Sequence, residues 1–266
     1  MIVIKFGGHA MTDEGGLFAK AVQGALDVGE ECVIVHGGGP QIDAALQEAG
    51  IAPSFLGGFR VTTPEVFDIV QKVLTGAVLR NVVAQLRDAG INAVGLSGRD
   101  GGLLVAKKLE QLVDGSPVDL GQVGEVVRVD TSILETLVSS GFLPVISPVA
   151  VEGDETSENS MVGMNVNADL AAGAIAGAVH ASTLIFMTDV AGIYRNWPDT
   201  TSLITTISAP ELRLIKGEFA DGMAPKVLAC LNAIDAGAMS VRIIDGKDPQ
   251  AFALALQGIG GTVVTR

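Results

Sequence analysis

VIVHGGGPQ, Val33 to Gln41, sets an apolar β-branched run against one histidine, three consecutive glycines and a proline. The first half reads as a strand and the residues after Pro40 as a helix, so the glycines form a strand-to-helix turn. Gly loses more backbone freedom on folding than any other residue, so three in a row need a reason: positive φ, or close approach of the main chain to a ligand. The same pattern extends outward along the chain. Short apolar runs recur as strands at Ile2–Phe6, Cys32–Val35, Ala93–Leu96, Leu143–Ile146, Leu184–Met187 and Val241–Ile244. Helical stretches separate them at Leu17–Val28, Gln41–Ala49, Glu65–Ala89, Thr131–Ser139, Ala168–Ala178 and Lys226–Ala236. Strands that are continuously apolar are buried on both faces, and their alternation with helices implies a mostly parallel sheet between two helix layers. The fold class is α/β, a three-layer αβα sandwich.

Two stretches break this rhythm. Gly101 to Val129 has short runs and turn residues, including DGS at 114 to 116, and reads as β-hairpins protruding from the sandwich. Val151 to Met164 is polar and acidic, and reads as a mobile loop or an extended hairpin. No repeat or flexible linker divides the 266 residues, so the expectation is one domain of two lobes, 1–164 and 165–266. A net charge of −13 repels phosphate backbones and anionic lipid, which argues against nucleic acid and membrane partners. Any anionic ligand must then be met by a few positioned cations. Cys32 and Cys230 each sit in an apolar run and read as small buried hydrophobes in a reducing compartment. The opening MIVIKFGG has neither a basic leader nor a membrane-spanning apolar stretch, so a soluble, cytoplasmic protein is expected.

The glycine turns match neither nucleotide fingerprint. GxxxxGK[ST] is absent because Gly246-Lys247 is followed by Asp248, and HGGGPQ at 36 to 41 is not GxGxxG. What remains is a pair of Gly-rich strand ends, KFGGHAM at 5 to 11 and HGGGPQ at 36 to 41. They are either two tight turns or a backbone cradle for an anion. Lys5 is the only charge in its strand and stands at the C-terminal end, where open α/β sheets bind ligands. It either snorkels to water or meets an anionic partner, since an unpaired ammonium is costly to desolvate. Lys226 falls in the first turn of a helix announced by Asp221, Gly222 and Pro225, where a cation opposes the macrodipole. In MNVNADL, 164 to 170, capping explains one of Asn167 and Asp169. It does not readily explain three polar residues at alternate positions, Asn165, Asn167 and Asp169, which an extended chain would present to one side.

KFGGHAM, HGGGPQI, GGFRVT, GLSGRDG, NVNAD, TDVAG, GMAPK and IIDGK, in this order and over nearly the whole chain, resemble the amino acid kinase family, in its N-acetyl-L-glutamate kinase branch. The resemblance implies the carbamate kinase-like fold and transfer of the γ-phosphoryl group of ATP, with Mg2+, to the side-chain carboxylate of N-acetyl-L-glutamate. Lys5 and Lys226 match the family's two transition-state lysines, and Asp169 the carboxylate that holds them. Gly7, Gly8, Gly38 and Gly39 match the backbone cradles around the transferring group. Arg60 matches the bidentate contact to the acceptor's α-carboxylate, a task suited to a planar fork. Asn165 matches a second acceptor contact, with Asn167 near it. Thr188, Asp189 and Gly192 resemble the nucleotide-side turn, with adenine expected near them and near Met223. No cluster of carboxylates offers a protein-built metal site, so Mg2+ is expected on the phosphates and water. His36 reads as structural, because a carboxylate nucleophile is already ionised at pH 7 and needs no base.

Two features depart from the family pattern. His9 stands where an asparagine is usual, and the 151–164 segment is longer than usual. Alternatives are a sister kinase acting on aminoadipate or glutamate carried by a small acidic protein, which this acidic chain disfavours, and a noncatalytic amino-acid sensor. With its first strand at Ile2, the chain resembles members lacking the N-terminal helix of arginine-inhibited hexamers. A homodimer without that feedback is therefore expected, built through Glu65–Ala89, whose apolar positions Val66, Ile69, Val70, Val73 and Leu74 follow helical spacing and fit either a dimer stripe or ordinary core.

Overall fold

The computed structural model describes residues 1–7, 16–112, 115–219, 223–248 and 250–266. Gly8, His9, Val113, Asp114, Asp221 and Gly222 lie outside the described residues. The chain runs β1 (Ile2–Phe6), α1 (Leu17–Asp27), β2 (Cys32–His36), α2 (Gly39–Glu48), β3 (Phe55–Leu56), β4 (Phe59–Arg60), α3 (Pro64–Gln71), α4 (Leu79–Asp88) and β5 (Ala93–Ser97). It continues through β6 (Leu104–Lys108), β7 (Val123–Val129), α5 (Ser132–Ser139), β8 (Leu143–Ser147), β9 (Val149–Gly153), β10 (Glu158–Val166) and α6 (Ala168–Ala178). It closes with β11 (Thr183–Thr188), β12 (Ile193–Tyr194), β13 (Leu203–Ile204), β14 (Thr206–Ser208), α7 (Ala209–Ile215), α8 (Ala224–Asp235), β15 (Ser240–Asp245), α9 (Ala251–Leu256) and β16 (Thr262–Thr265).

Eight strands form one sheet in the order β14-β16-β15-β11-β1-β2-β8-β5. The six strands from β15 to β5 are parallel, and β16 pairs antiparallel with β15. These six are the six read from sequence, and alternation divides their side chains between two layers. Val3, Val33, Val35, Ile146, Leu184, Phe186, Val241 and Ile243 join one core with α6, α7 and α8. Ile2, Ile4, Phe6, Cys32, Ile34, Val145, Ile185 and Ile244 join the other with α1, α4 and α9. A period of two in each strand therefore suffices to build three layers.

The excursions are ordered strands. β6, β7, β9 and β10 close into a four-stranded barrel, with β6–β7 and β9–β10 antiparallel. Of the two readings of 151–164 the hairpin is the one found: β9 pairs with β10 across a bulge between Asn159 and Gly163. β10 runs on to Val166, two residues past the expected lobe division, and the eight-stranded sheet draws strands from both sides of that division.

The expected helix 65–89 is present but not uniform. Lys72–Val78 winds as a wide π-type segment between α3 and α4. Thr75 Oγ1 donates to the Gln71 carbonyl at 2.7 Å, competing with the backbone donor that would use it in an α-helix, and such back-bonding bends helices. The apolar stripe turns inward. Val66, Val70 and Leu74 are buried with Ile42, Leu46 and Val149 in the protein's own core, and the half-buried Ile69 and Val73 pack against the same cluster. Cys32 and Cys230 are free and buried, and burial pushes the Cys32 thiol up to about 12, as expected of inert core residues.

Candidate active site

The site assembles along the C-terminal edge of the parallel strands. Lys5 shares the Val3 face of β1 and therefore points toward α6, where Asp169 sits in the first turn. Lys5 Nζ lies 3.0 Å from Asp169 Oδ1, with the lysine side chain only 14% exposed. Of the two readings of Lys5, the structure supports the paired ammonium. Asp169 Oδ1 is buried and lacks a hydrogen bond in good geometry, which leaves it an acceptor to spare. Asn167 is the N-cap of α6, accepting from the backbone N–H of Asp169 and of Leu170, so its side-chain oxygen is committed to the helix.

The two glycine turns meet in front of this pair. Gly37 N–H donates to Phe6 O at 2.9 Å, and a Cβ on Gly37 would stand 3.8 Å from Gly7 Cα. A Cβ on Gly7 would lie 2.8 Å from Lys5 Nζ, so glycine there leaves room for the ammonium. Gly38 has a different reason. Its Cβ would be 2.7 Å from Leu74 Cδ2 and 3.3 Å from Val78 Cγ2, because the wide helical segment presses on this turn. Gly39 opens α2 and has nothing within 4 Å on its Cβ side, while the first-turn N–H groups of α2 lack intrahelical acceptors. The triple glycine thus serves packing at one position and an open, donor-rich helix start at the next.

A cavity of about 230 Å³ lies between these turns and the barrel, lined by Lys5, Gly37 to Gly39, Arg60, Asn165, Asn167 and Asp169. Its wall includes Ile42, Phe55, Phe59, Leu74, Val123 and Pro148, which give it an apolar side that sequence reading missed. Arg60, with a 7% exposed side chain, is held by Nη1 donating to Asp43 Oδ1 at 2.7 Å, and its guanidinium lies 4.6 Å from the Phe55 ring centre. Asp43 was also missed. It lies 17 residues before Arg60, with no periodicity linking them. Asn165 Nδ2 donates to Thr62 Oγ1 at 3.0 Å.

The remaining described candidates do not line this cavity. A Cβ on Gly173 would lie 3.3 Å from Ala233 and one on Gly177 would run into the Ala236 carbonyl, so α6 and α8 run side by side in the same direction. Lys226, in the first turn of α8, is therefore at the Asp169 end of the helix pair. Thr188 ends β11 on the same edge, its hydroxyl donating to Val190 O at 2.9 Å, and Asp189 is exposed beside it. Gly192 is enclosed, since a Cβ would meet Leu203 Cδ1 at 2.8 Å and Thr262 N at 3.0 Å. Met223 is 2% exposed in the core, so a nucleotide would meet its backbone or its neighbours rather than its side chain.

His36 belongs to the opposite face. It follows Ile34 on the α1/α4 side of β2, is fully buried, and places Nδ1 2.7 Å from Gly37 O. Burial pushes its pKa down to about 4, so it is neutral at pH 7. The unfolded chain takes up this proton near the ordinary 6.5, and between the two values it binds more protons than the folded protein. Stability therefore falls as pH drops through that window, by about 2 kcal/mol from roughly pH 7.5 to 5. Urea unfolding at both pH values reads this loss, and His36→Gln should flatten the slope.

The amino acid kinase family profile matches residues 1–245 of this chain. The chain belongs to the amino acid kinase family. Within it, the acetylglutamate kinase of Arthrobacter sp. (strain FB24) is 48% identical over 269 residues, covering 99% of this chain and 86% of that protein. The acetylglutamate kinase of Acidothermus cellulolyticus is 44% identical over 268 residues, covering 99% and 90%. At that identity and coverage this amino acid kinase groups with the acetylglutamate kinases. Among solved structures, a Streptococcus mutans UA159 protein superposes with a TM-score of 0.79 at 26% identity, covering 99% of this chain and 98% of that one. Carbamate kinase from Giardia lamblia bound to AMP-PNP gives 0.71 at 18%, covering 100% and 98%, a likeness of fold alone.

Proposed function

We propose that this amino acid kinase transfers the γ-phosphoryl group of ATP to the side-chain carboxylate of N-acetyl-L-glutamate, giving N-acetyl-L-glutamyl 5-phosphate for arginine biosynthesis. The observation that carries the reading is the half-buried Lys5–Asp169 pair beside an open glycine turn, facing Arg60 across one cavity, in a chain 48% identical to an acetylglutamate kinase. A carboxylate attacking a polyanion needs little covalent help from the protein. It needs two anions brought into line and the charge of the transferring group stabilised. Lys5 supplies that charge from one side and Lys226 from the other, with Asp169 orienting Lys5. In this reading the N–H groups at Gly7, Gly38 and Gly39 face the phosphoryl oxygens, and Gly8, outside the described residues, is assigned with them. Arg60 and Asn165 hold the acceptor's α-carboxylate, with Asn167 keeping α6 in place behind them.

On the nucleotide side, Thr188, Asp189, Gly192 and the backbone at Met223 bound the ATP site in this reading. Residues 1–164 together with Asn165 carry the acceptor, and the rest of 165–266 the nucleotide. Mg2+ in this reading is carried on the phosphates and water. A homodimer and a cytoplasmic location complete the proposal, and no helix among the described residues is long and apolar enough to cross a membrane.

The test is ADP release from MgATP with N-acetyl-L-glutamate, beside L-glutamate, L-aspartate and α-aminoadipate. Turnover on N-acetyl-L-glutamate alone is expected. Absence of turnover on every free acid would overturn the reading in favour of a carrier-borne acceptor or a sensor.

A further inference from the structure

Thr62 is fully buried and belongs to neither the glycine turns nor the lysine pair. Its backbone is fixed by Thr62 N–H donating to Leu120 O at 2.8 Å and Gln122 N–H donating to Thr62 O at 2.7 Å. Gly121 between them has φ 71°, and a Cβ there would run into the Thr62 carbonyl, so the close approach requires glycine. Gln122 O in turn accepts from Asn165 N–H at 2.8 Å, which brings β10 to the same point. Three segments remote in sequence are thus locked around one hydroxyl.

That hydroxyl is used in both senses. Thr62 Oγ1 donates to Arg60 O at 2.8 Å, and Asn165 Nδ2 donates to Thr62 Oγ1 at 3.0 Å. A threonine has one O–H to give. With that proton on the Arg60 carbonyl, the oxygen can only accept from Asn165, so the amide must turn its nitrogen toward Thr62. One Nδ2 hydrogen is then spent, and the second remains as a donor for a ligand in the cavity. Without this reference the amide is free to turn over and present its oxygen to an anion.

We propose that Thr62 is a positioning residue that ties Arg60 and Asn165 into one unit and fixes which face Asn165 shows to a carboxylate ligand. The proposal rests on the acceptor reading of this cavity. Its experiment compares the wild type, Thr62→Val and Thr62→Ser in steady-state kinetics and in calorimetric binding of N-acetyl-L-glutamate. Valine keeps the shape and deletes the hydroxyl, whereas serine keeps the hydroxyl. The expected result for Thr62→Val is a KM for N-acetyl-L-glutamate, and a Kd, raised on the order of 10-fold, with kcat and the KM for ATP changed by less than about 3-fold. Thr62→Ser should recover most of the acceptor affinity. Equal losses for both substrates, accompanied by a lowered unfolding midpoint, would assign Thr62 a merely structural role, as would a serine variant no better than valine. Wild-type binding of N-acetyl-L-glutamate without turnover would overturn the kinase reading while the variants still decide the role of Thr62. Neither binding nor turnover in the wild type would overturn both.

Discussion

Lys5→Met should lower kcat roughly 10²- to 10³-fold and leave the acceptor's KM within a few-fold. The lysine is 14% exposed and its ammonium stands 3.0 Å from Asp169. In the wild type the pair meets incoming phosphates with a positive charge already aimed and partly desolvated. Methionine keeps the stem and removes that charge, so on this side the transferring group meets the Asp169 carboxylate without its counter-charge. Stability should move little, by less than about 1 kcal/mol, because the Asp169 side chain is 38% exposed and water can solvate the carboxylate left behind. Steady-state kinetics with a parallel urea titration separates the two effects. Turnover within 10-fold of the wild type would remove Lys5 from the chemistry.

Arg60→Lys should raise the KM for N-acetyl-L-glutamate about 10²-fold, with kcat changed far less. Arg60 gives Nη1 to Asp43 at 2.7 Å and stacks its guanidinium on Phe55, which leaves its other N–H groups for a carboxylate in the cavity. A planar fork can serve both anions at once. A lysine has one compact charge, and Asp43 competes with the substrate for it. The loss corresponds to about 3 kcal/mol of acceptor binding, within the range for breaking a desolvated charge pair. An unchanged KM would show that the acceptor's carboxylate binds elsewhere. The same Asp43 contact explains why the substitution is not conservative here, although both residues are cations.

Local chemistry explains most of what could be read in advance. The six core strands were legible because each is a short, mostly apolar run, and the helices because their apolar residues recur with helical spacing. Lys5 was legible as a charge placed where burial would be costly without a partner, and Asp169 as one of three polar residues at alternate positions. The barrel was seen only in fragments, since each of β6, β7, β9 and β10 is completed by pairing with a strand remote in sequence. The stripe at Val66, Val70 and Leu74 shows a limit of periodicity. It states that one face of a helix is apolar, and cannot state whether that face meets its own sheet or another subunit.

Three contacts at the site lay beyond any window of sequence. Asp43 reaches Arg60 across 17 residues, Thr62 reaches Asn165 across 103, and Leu74 presses on Gly38. The sequence by itself determined the strand and helix order, the face of β1 that carries Lys5, and the glycine turns at the strand ends. These follow from backbone geometry and alternation, which act over a few residues. Only the tertiary structure decided which polar groups meet, which way Asn165 turns its amide and which glycine is there for packing. Those depend on distances between segments that the chain brings together only when the sheet and barrel close.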